Sequence, residues 1–372
     1  MALNFNTNSI NTVTWNGSSL TQINFNGTKV WPDSPTPSVN YFYIQAWSGE
    51  SDLKFMFENA GSNPQTVNWL ISSDKTNWNT FQADTWYTVT SGNKMYIKAG
   101  TGGNATTCGV TPADNRLHFT YRANNDNETA LAIVGGDIST LLNENGLSDM
   151  RTTGAQNNFR YLFRNKQGDA TDFRQIYLAD DFEIPFSIVM PYAFHQTFRG
   201  ALAPVDTVNN LSSHFPDLSN VEYVGPYSFG TTWCYEQANH FSNNFIVDLS
   251  KLKGTTDGTN LADNCIYMNT GQNTGAFRNW LRYEKNDINY SYKVKVGPLE
   301  PFYYLYDGAF QDTYISEMEV AFSSFGYGGT GNWLKNVPGT GTFYCPTALG
   351  TNETISRDTS ACPAGWTVIN TD

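Results

Sequence analysis

The sequence is short of charge. Only 15% of its 372 residues are Asp, Glu, Lys or Arg, against about 25% in an average soluble chain. Its surface polarity must therefore come from Asn, Thr, Ser, Gln and Gly. Basic residues are scarcer than acidic ones, 22 against 34, for a net charge of −12. No basic face of the kind a general nucleic-acid binder needs is visible. Long apolar runs are missing as well. Stretches such as Ala130-Leu-Ala-Ile-Val134 stop at about five residues, and a membrane helix needs about 20. The opening Met1-Ala-Leu-Asn-Phe-Asn6 has no basic start and no apolar segment, which predicts that a secretory leader is absent.

Paired cysteines are lacking too. The five are Cys108, Cys234, Cys265, Cys345 and Cys362. An odd count without a leader points to free thiols made in a reducing cytosol, with a Cys345–Cys362 bridge as the alternative. No CxxC pair occurs, so a structural zinc site has no sequence basis. The four histidines, at 118, 195, 214 and 240, form no HExxH or paired-His spacing. There is no G-x-S-x-G elbow. The glycine-rich Gly326-Tyr-Gly-Gly-Thr-Gly331 lacks the lysine of a phosphate loop. Cys234 and His240 are read as a buried small thiol and a surface histidine rather than a nucleophile pair. On these grounds the chain is expected to be no enzyme and to use no cofactor.

What is abundant is aromatic: 24 Phe, 21 Tyr and 10 Trp. With Ala, Leu, Glu and Lys scarce, this favours strands and turns over helices. At roughly 100–200 residues per domain, the length allows two or three domains.

The first thirty residues repeat themselves. Val13-Thr-Trp15-Asn16-Gly17 recurs ten positions later as Ile23-Asn-Phe25-Asn26-Gly27, followed by Val30-Trp31. Asn-Gly between alternating apolar residues is the strongest short hairpin signal, because a type I′ turn needs positive φ at both central positions. Two small hairpins are expected over 1–31. A piece this short makes a poor core alone, which marks Trp15, Asn16, Gly17, Phe25, Asn26, Gly27 and Trp31 as candidate docking or assembly residues. Residues 32–39, with Pro32, Pro35 and Pro37, read as a stiff linker.

Residues 40–122 carry short strand-like runs separated by turn signals, among them Tyr41–Trp47, Leu53–Phe57, Met95–Lys98 and Leu117–Tyr121. A β-sandwich is expected, with Trp69, Trp78 and Trp86 in its core. Beyond it, aromatic blocks recur, notably Pro191-Tyr-Ala-Phe194 and Pro226-Tyr-Ser-Phe229, 35 residues apart. A unit that cannot bury its own apolar face and repeats at this scale is the pattern of a solenoid. Residues 123–372 are therefore expected to form an irregular β-solenoid closed by a C-terminal cap. Regular blocks are missing between about 235 and 300.

The blocks Tyr192-Ala-Phe194, Tyr227-Ser-Phe229 and Gly308-Ala-Phe310 resemble the aromatic turns of BspA-like leucine-rich repeat proteins. Gly341-Thr-Phe343 with Pro363-Ala-Gly365-Trp366-Thr-Val368 is similar to the closing signature of such arrays. The segment Ser73-Asp-Lys-Thr-Asn-Trp78 resembles the β module that often precedes them. The paired Asn-Gly hairpins resemble the start of phage virion proteins of the tail-fibre or appendage type. Together these resemblances imply a bacteriophage structural protein, assembled in the host cytoplasm and carried on the virion. They imply other virion proteins as partners of the N-terminus, a homotrimer, and a host-surface glycan or protein bound by the body. No nucleic acid or membrane insertion is implied. A capsid decoration or head fibre, a bacterial surface adhesin and a polysaccharide depolymerase are the competing readings. For the last, Asp180-Asp181-Phe-Glu183 and Glu317-Met-Glu319 are the candidate carboxylates, read here as solvated acidic faces. The first cluster is also a candidate oxygen-ligand set for Ca²⁺.

Overall fold

The computed structural model describes residues 14–15, 18–19, 23–25, 28–31, 39–48, 52–59, 67–103, 117–123, 131–153, 158–164, 175–234, 240–241, 245–255, 275–282, 292–302, 304–326 and 328–372. The chain is mainly β. Among the described residues the only helical pieces are 3-10 turns at Ile138–Leu141, Met150–Thr153 and Thr347–Leu349. Two compact units are present, 1–40 and 41–372.

The first unit holds two antiparallel pairs. Strands β1 (Thr14–Trp15) and β2 (Ser18–Ser19) pair Trp15 with Ser18, leaving two residues for the turn. Strands β3 (Ile23–Phe25) and β4 (Thr28–Trp31) pair Phe25 with Thr28 in the same way. Asn16, Gly17, Asn26, Gly27 and most of the proline-rich segment lie outside the described residues.

Among its described residues the second unit begins with nine strands: β5 (Tyr43–Ala46), β6 (Leu53–Asn59), β7 (Trp69–Ser72), β8 (Asn79–Thr80), β9 (Tyr87–Val89), β10 (Lys94–Ala99), β11 (Leu117–Ala123), β12 (Leu131–Gly135) and β13 (Gln175–Leu178). They form a six-stranded sheet, ordered β13-β12-β5-β10-β7-β8, and a three-stranded sheet, β11-β6-β9. Period-2 alternation sorts their faces. Leu53, Phe55 and Phe57 of β6 are buried, with half-buried Lys54 and Met56 between them. Aromatic rings join the two sheets: Phe57 meets Trp69 edge-on at 5.0 Å, and Trp69 stacks on Phe119 at 5.8 Å. The Trp69 indole donates to Leu141 O at 2.8 Å, so its one polar atom is satisfied inside the core. The six-stranded sheet crosses the boundary expected near 122, because β12 and β13 both join it.

From β13 onward the strands among the described residues pair in parallel, and antiparallel pairing is confined to single bridges such as Asp206 with Leu211. Strands β14 (Ile188–Val189), β15 (Tyr223–Val224) and β17 (Gly254–Thr255) form one sheet. Strands β16 (Ile246–Leu249), β18 (Lys293–Val296), β19 (Glu317–Val320), β20 (Thr342–Cys345) and β21 (Thr367–Asn370) form another, each strand beside its predecessor. Val247, Val294, Met318, Phe343 and Val368 line up on its buried side.

Opposite the strands, turns stack in rungs. Phe159, Tyr161 and Phe163 donate backbone N–H to the carbonyls of Ala193, His195 and Thr197. Tyr192, Phe194, Gln196 and Phe198 donate in turn to Pro226, Ser228, Gly230 and Thr232. Phe229, Thr231 and Trp233 donate to Ala276, Arg278 and Trp280, and Phe277, Asn279 and Leu281 to Leu305, Asp307 and Ala309. The intervening N–H groups close local turns, as Ala193 does to Met190 and His195 to Tyr192. This alternation requires positive φ at non-glycine positions: 59° at Tyr192, 57° at Gln196, 53° at Tyr227, 58° at Thr231 and 51° at Asn279. Such backbone is strained, and the ladder on both sides over-determines it.

Ring stacking sets the register of the rungs. Phe159, Phe194, Phe229, Phe277 and Tyr306 form one column with centroids 5.1, 5.1, 5.4 and 5.4 Å apart. Sequence steps are 194 − 159 = 35, 229 − 194 = 35, 277 − 229 = 48 and 306 − 277 = 29. Residues 275–282 therefore supply a rung inside the stretch where sequence blocks were missing. Gly308-Ala-Phe310 is out of register with Tyr192-Ala-Phe194, because Leu305 and Tyr306 occupy the equivalent place.

A buried threonine ties adjacent rungs. Thr232 Oγ1 lies 2.6 Å from Phe194 O and 2.7 Å from Phe229 O, and Thr197 Oγ1 donates to Phe159 O at 2.7 Å. Thr232→Val keeps the shape and removes the donor, and is expected to cost about 1–2 kcal/mol in urea unfolding.

The last rung is closed by the 350–366 segment. Arg357 NH1 donates to Trp366 O at 2.7 Å, and Asn352 Oδ1 accepts Val368 N–H at 3.2 Å, which covers the outer edge of β21. The Trp366 ring fits only because Gly341 has no side chain: a Cβ there would lie 2.6 Å from it. Cys345 and Cys362 are both buried free thiols, not a bridge.

Candidate binding face

The outward side of the six-stranded sheet gathers aromatic and lysine side chains. Tyr41, Tyr43 and Gln45 alternate with the core residues Phe42, Ile44 and Ala46, and Lys94, Tyr96 and Lys98 alternate with Met95, Ile97 and Ala99. Pairing places Tyr96 between Tyr43 and Ser72, and Lys94 beside Gln45. Tyr43 meets Tyr96 edge-on at 5.9 Å, and Tyr41 meets Trp78 edge-on at 5.0 Å. Each pair carries lysine. Lys94 Nζ lies 3.7 Å from the Tyr43 centroid, and Lys75 Nζ 4.6 Å from that of Tyr96. Lys98 Nζ sits 4.5 Å from Trp78 and 5.1 Å from Tyr41, and pairs with Glu144 at 3.6 Å.

Glycine positions this arrangement. Gly135 on β12 faces Tyr43, and a Cβ there would fall 2.2 Å from the Tyr43 ring and 2.6 Å from Asp181 Oδ1. The bare backbone lets the Tyr43 ring cross β12 and donate its hydroxyl to Asp181 Oδ1 at 2.7 Å. Burial and this bond hold the Tyr43 phenol well above the usual range. Burial lowers the Lys94 ammonium; Asp181 opposes that shift and Lys75 adds to it.

Two of the three tryptophans expected in the core are not there. Trp69 is fully buried, but Trp78 is half-buried on this outer face, with its indole donating to Lys75 O at 3.0 Å. Trp86 is half-buried under the Arg122 guanidinium, 4.0 Å away. The cause for Trp78 is the Asp74 turn. Its carboxylate accepts from Thr76 and Asn77 N–H at 2.8 Å each, turning the chain out before Trp78.

The carboxylate candidates separate into two engaged groups. Asp181 accepts from Tyr43, Asp180 pairs with His214 at 3.8 Å, and Glu183 is held beside Asp137 by a backbone bridge. Glu317 and Glu319 both clasp Lys293, at 2.5 and 3.5 Å. Among the described residues, no three His, Cys, Asp or Glu side chains cluster as a metal site. Cys234 is buried with its thiol pushed up to about 12, chiefly by burial, which disfavours the thiolate a nucleophile needs. His240, expected at the surface, is buried as well. Of the candidate docking residues, Trp15, Phe25 and Trp31 lie on hairpin strands.

Sequence reasoning passed over Asp137. It caps the 138–141 turn, accepting from Ser139 N–H at 2.8 Å. Burial pushes it up to about 6 against the pull of the Ser139 bonds, with Glu183 adding to the rise. The folded value exceeds the unfolded value of 3.8, so the fold holds this proton more tightly. Its contribution to stability is full at low pH and falls as pH rises from about 4 to about 6. Asp137→Asn keeps a capping oxygen without the buried charge. It is expected to gain about 2 kcal/mol at pH 7 and to flatten the pH 4–6 slope, read by urea unfolding at both ends.

No helix among the described residues is long and apolar enough to cross a membrane. No family model, curated protein or solved structure matches the chain.

Proposed function

We propose that the chain is a structural, non-enzymatic component of a bacteriophage particle, an appendage of the tail-fibre type. In this reading the N-terminal hairpin unit anchors the chain to other virion proteins, and the body displays a surface that binds a host glycan or protein. The paired sheets are read as a β-sandwich and the stacked rungs as a BspA-like leucine-rich-repeat solenoid. Its carrying observation is the unbroken column of turns from Phe159 to Trp333, held by rung-to-rung hydrogen bonds and ring stacking. A body built by repetition holds side chains at fixed spacing over a long surface, which suits presentation rather than turnover. The short hairpins fit an anchor, because two-stranded pairs gain stability only against a partner. Homotrimeric assembly follows from the same resemblance.

The anchor is tested in the full-length chain. Trp15→Ala, Phe25→Ala and Trp31→Ala together are expected to abolish incorporation into particles and to leave the thermal unfolding of the body unchanged. Undiminished incorporation would overturn the assignment of 1–31 as the anchor.

A further inference from the structure

The aromatic–lysine face has an unusual charge arrangement. Lys75 and Lys94 rest on the touching rings of Tyr96 and Tyr43, which brings two ammonium groups to one spot in a chain of net charge −12. Neither has a carboxylate partner within 4.0 Å among the described residues, and Lys98, their neighbour, is paired with Glu144. Lys75 is exposed, and Lys94 and Tyr96 are half-buried, so the spot is open to a ligand. An ammonium lying on a ring still has N–H donors to give on its other side. Two such donors at close range favour a single anionic group, which relieves their repulsion through charge-assisted hydrogen bonds. Tyr41, two residues from Tyr43 on the same chain direction, sets the second aromatic pair about 7 Å away. Tyr41 and Trp78 are half-buried and offer an apolar surface beside the cations.

The geometry points to this face as a binding site for an acidic saccharide. Its sulfate or carboxylate sits between Lys75 and Lys94, and an adjoining sugar ring packs against Tyr41 and Trp78. The site rests on the display reading above and gives it a ligand class. Asp181, bonded to the Tyr43 hydroxyl, offsets part of the Lys94 charge. A neutral glycan would leave the remaining repulsion between the two ammonium groups in place; a bare anion would leave the Tyr41–Trp78 pair unused.

The test uses the full chain and three probes at fixed ionic strength: sulfated dextran, unsulfated dextran of the same length, and inorganic sulfate. Binding is read by calorimetry and by Trp fluorescence. Sulfated dextran is expected to bind, with at least a tenfold loss in the Lys75→Gln/Lys94→Gln variant and a severalfold loss in Trp78→Leu. Lys251→Gln/Lys335→Gln, which removes the same charge elsewhere, is expected to bind as the parent does. No binding of sulfated dextran, or equal binding by the Lys75/Lys94 variant and the parent, overturns the site. Unsulfated dextran binding as tightly as the sulfated form overturns the anionic requirement. Inorganic sulfate binding as tightly, sulfate for sulfate, overturns the saccharide assignment. Host attachment by particles bearing Lys75→Gln/Lys94→Gln separates the two claims. Unchanged attachment sinks this site and leaves the display reading standing, whereas absence of the chain from particles sinks the display reading.

Discussion

Phe229→Ala is expected to lower the unfolding free energy by about 3–5 kcal/mol. Phe229 is fully buried and lies mid-column, stacked on Phe194 at 5.1 Å and Phe277 at 5.4 Å and tilted against Trp280 at 6.0 Å. Its own N–H bonds Ala276, so the backbone around it cannot collapse into the cavity without breaking a rung. Both the transfer loss and the cavity loss therefore apply in full. Phe229→Leu keeps most of the volume and is expected to cost about 1–2 kcal/mol. Urea unfolding of the two variants gives the comparison. Near-equal losses would mean that the column can repack and is not held by the ladder.

Gly136→Ala is expected to cost about 3 kcal/mol or more and to abolish ligand binding at the aromatic–lysine face. Gly136 has φ +74°, and a Cβ there would lie 2.1 Å from the carbonyl oxygen of Tyr41. The obstacle is backbone, so no rotamer relieves it. Any shift moves Tyr41 and the adjoining Gly135–Tyr43 pairing, and with them both aromatic pairs. Gly102 is the control: its φ is +90°, but nothing lies within 4 Å of an added Cβ. Gly102→Ala should show the conformational cost alone, about 1–2 kcal/mol, with binding intact. Thermal unfolding and a sulfated-dextran titration on both variants separate overlap from conformation.

How far these features could be read from sequence depends on how local they are. The hairpin pairings of Trp15 with Ser18 and Phe25 with Thr28 are set by the two residues between them, and Asn-Gly marks such turns directly. Tyr192 and Tyr227 announce their rungs because both follow proline and precede a small residue and Phe. The rung at 275–282 has Gly275 where three of its neighbours have Tyr192, Tyr227 and Tyr304, so its sequence lacks the block although its backbone follows the same path. The binding face was legible only as alternation. Tyr41, Tyr43, Lys94, Tyr96 and Lys98 sit at alternate positions, but which lysine meets which ring depends on pairing across some fifty residues. Gly135, which lets Tyr43 reach Asp181, carries no sequence signal of that task at all. Trp69 and Trp78 look alike as isolated residues, and the Asp74 turn, not hydrophobicity, sends one inward and the other out.

Immunogold electron microscopy tests the display reading most directly. Intact phage particles encoding the chain are labelled with an antibody raised against residues 123–372. Gold at the tail tip or tail collar is the predicted result. Gold spread over the capsid shell would make the chain a head decoration and overturn the tail assignment. Gold on no part of any particle, with the antibody shown to recognise the purified chain, would contradict the virion reading altogether.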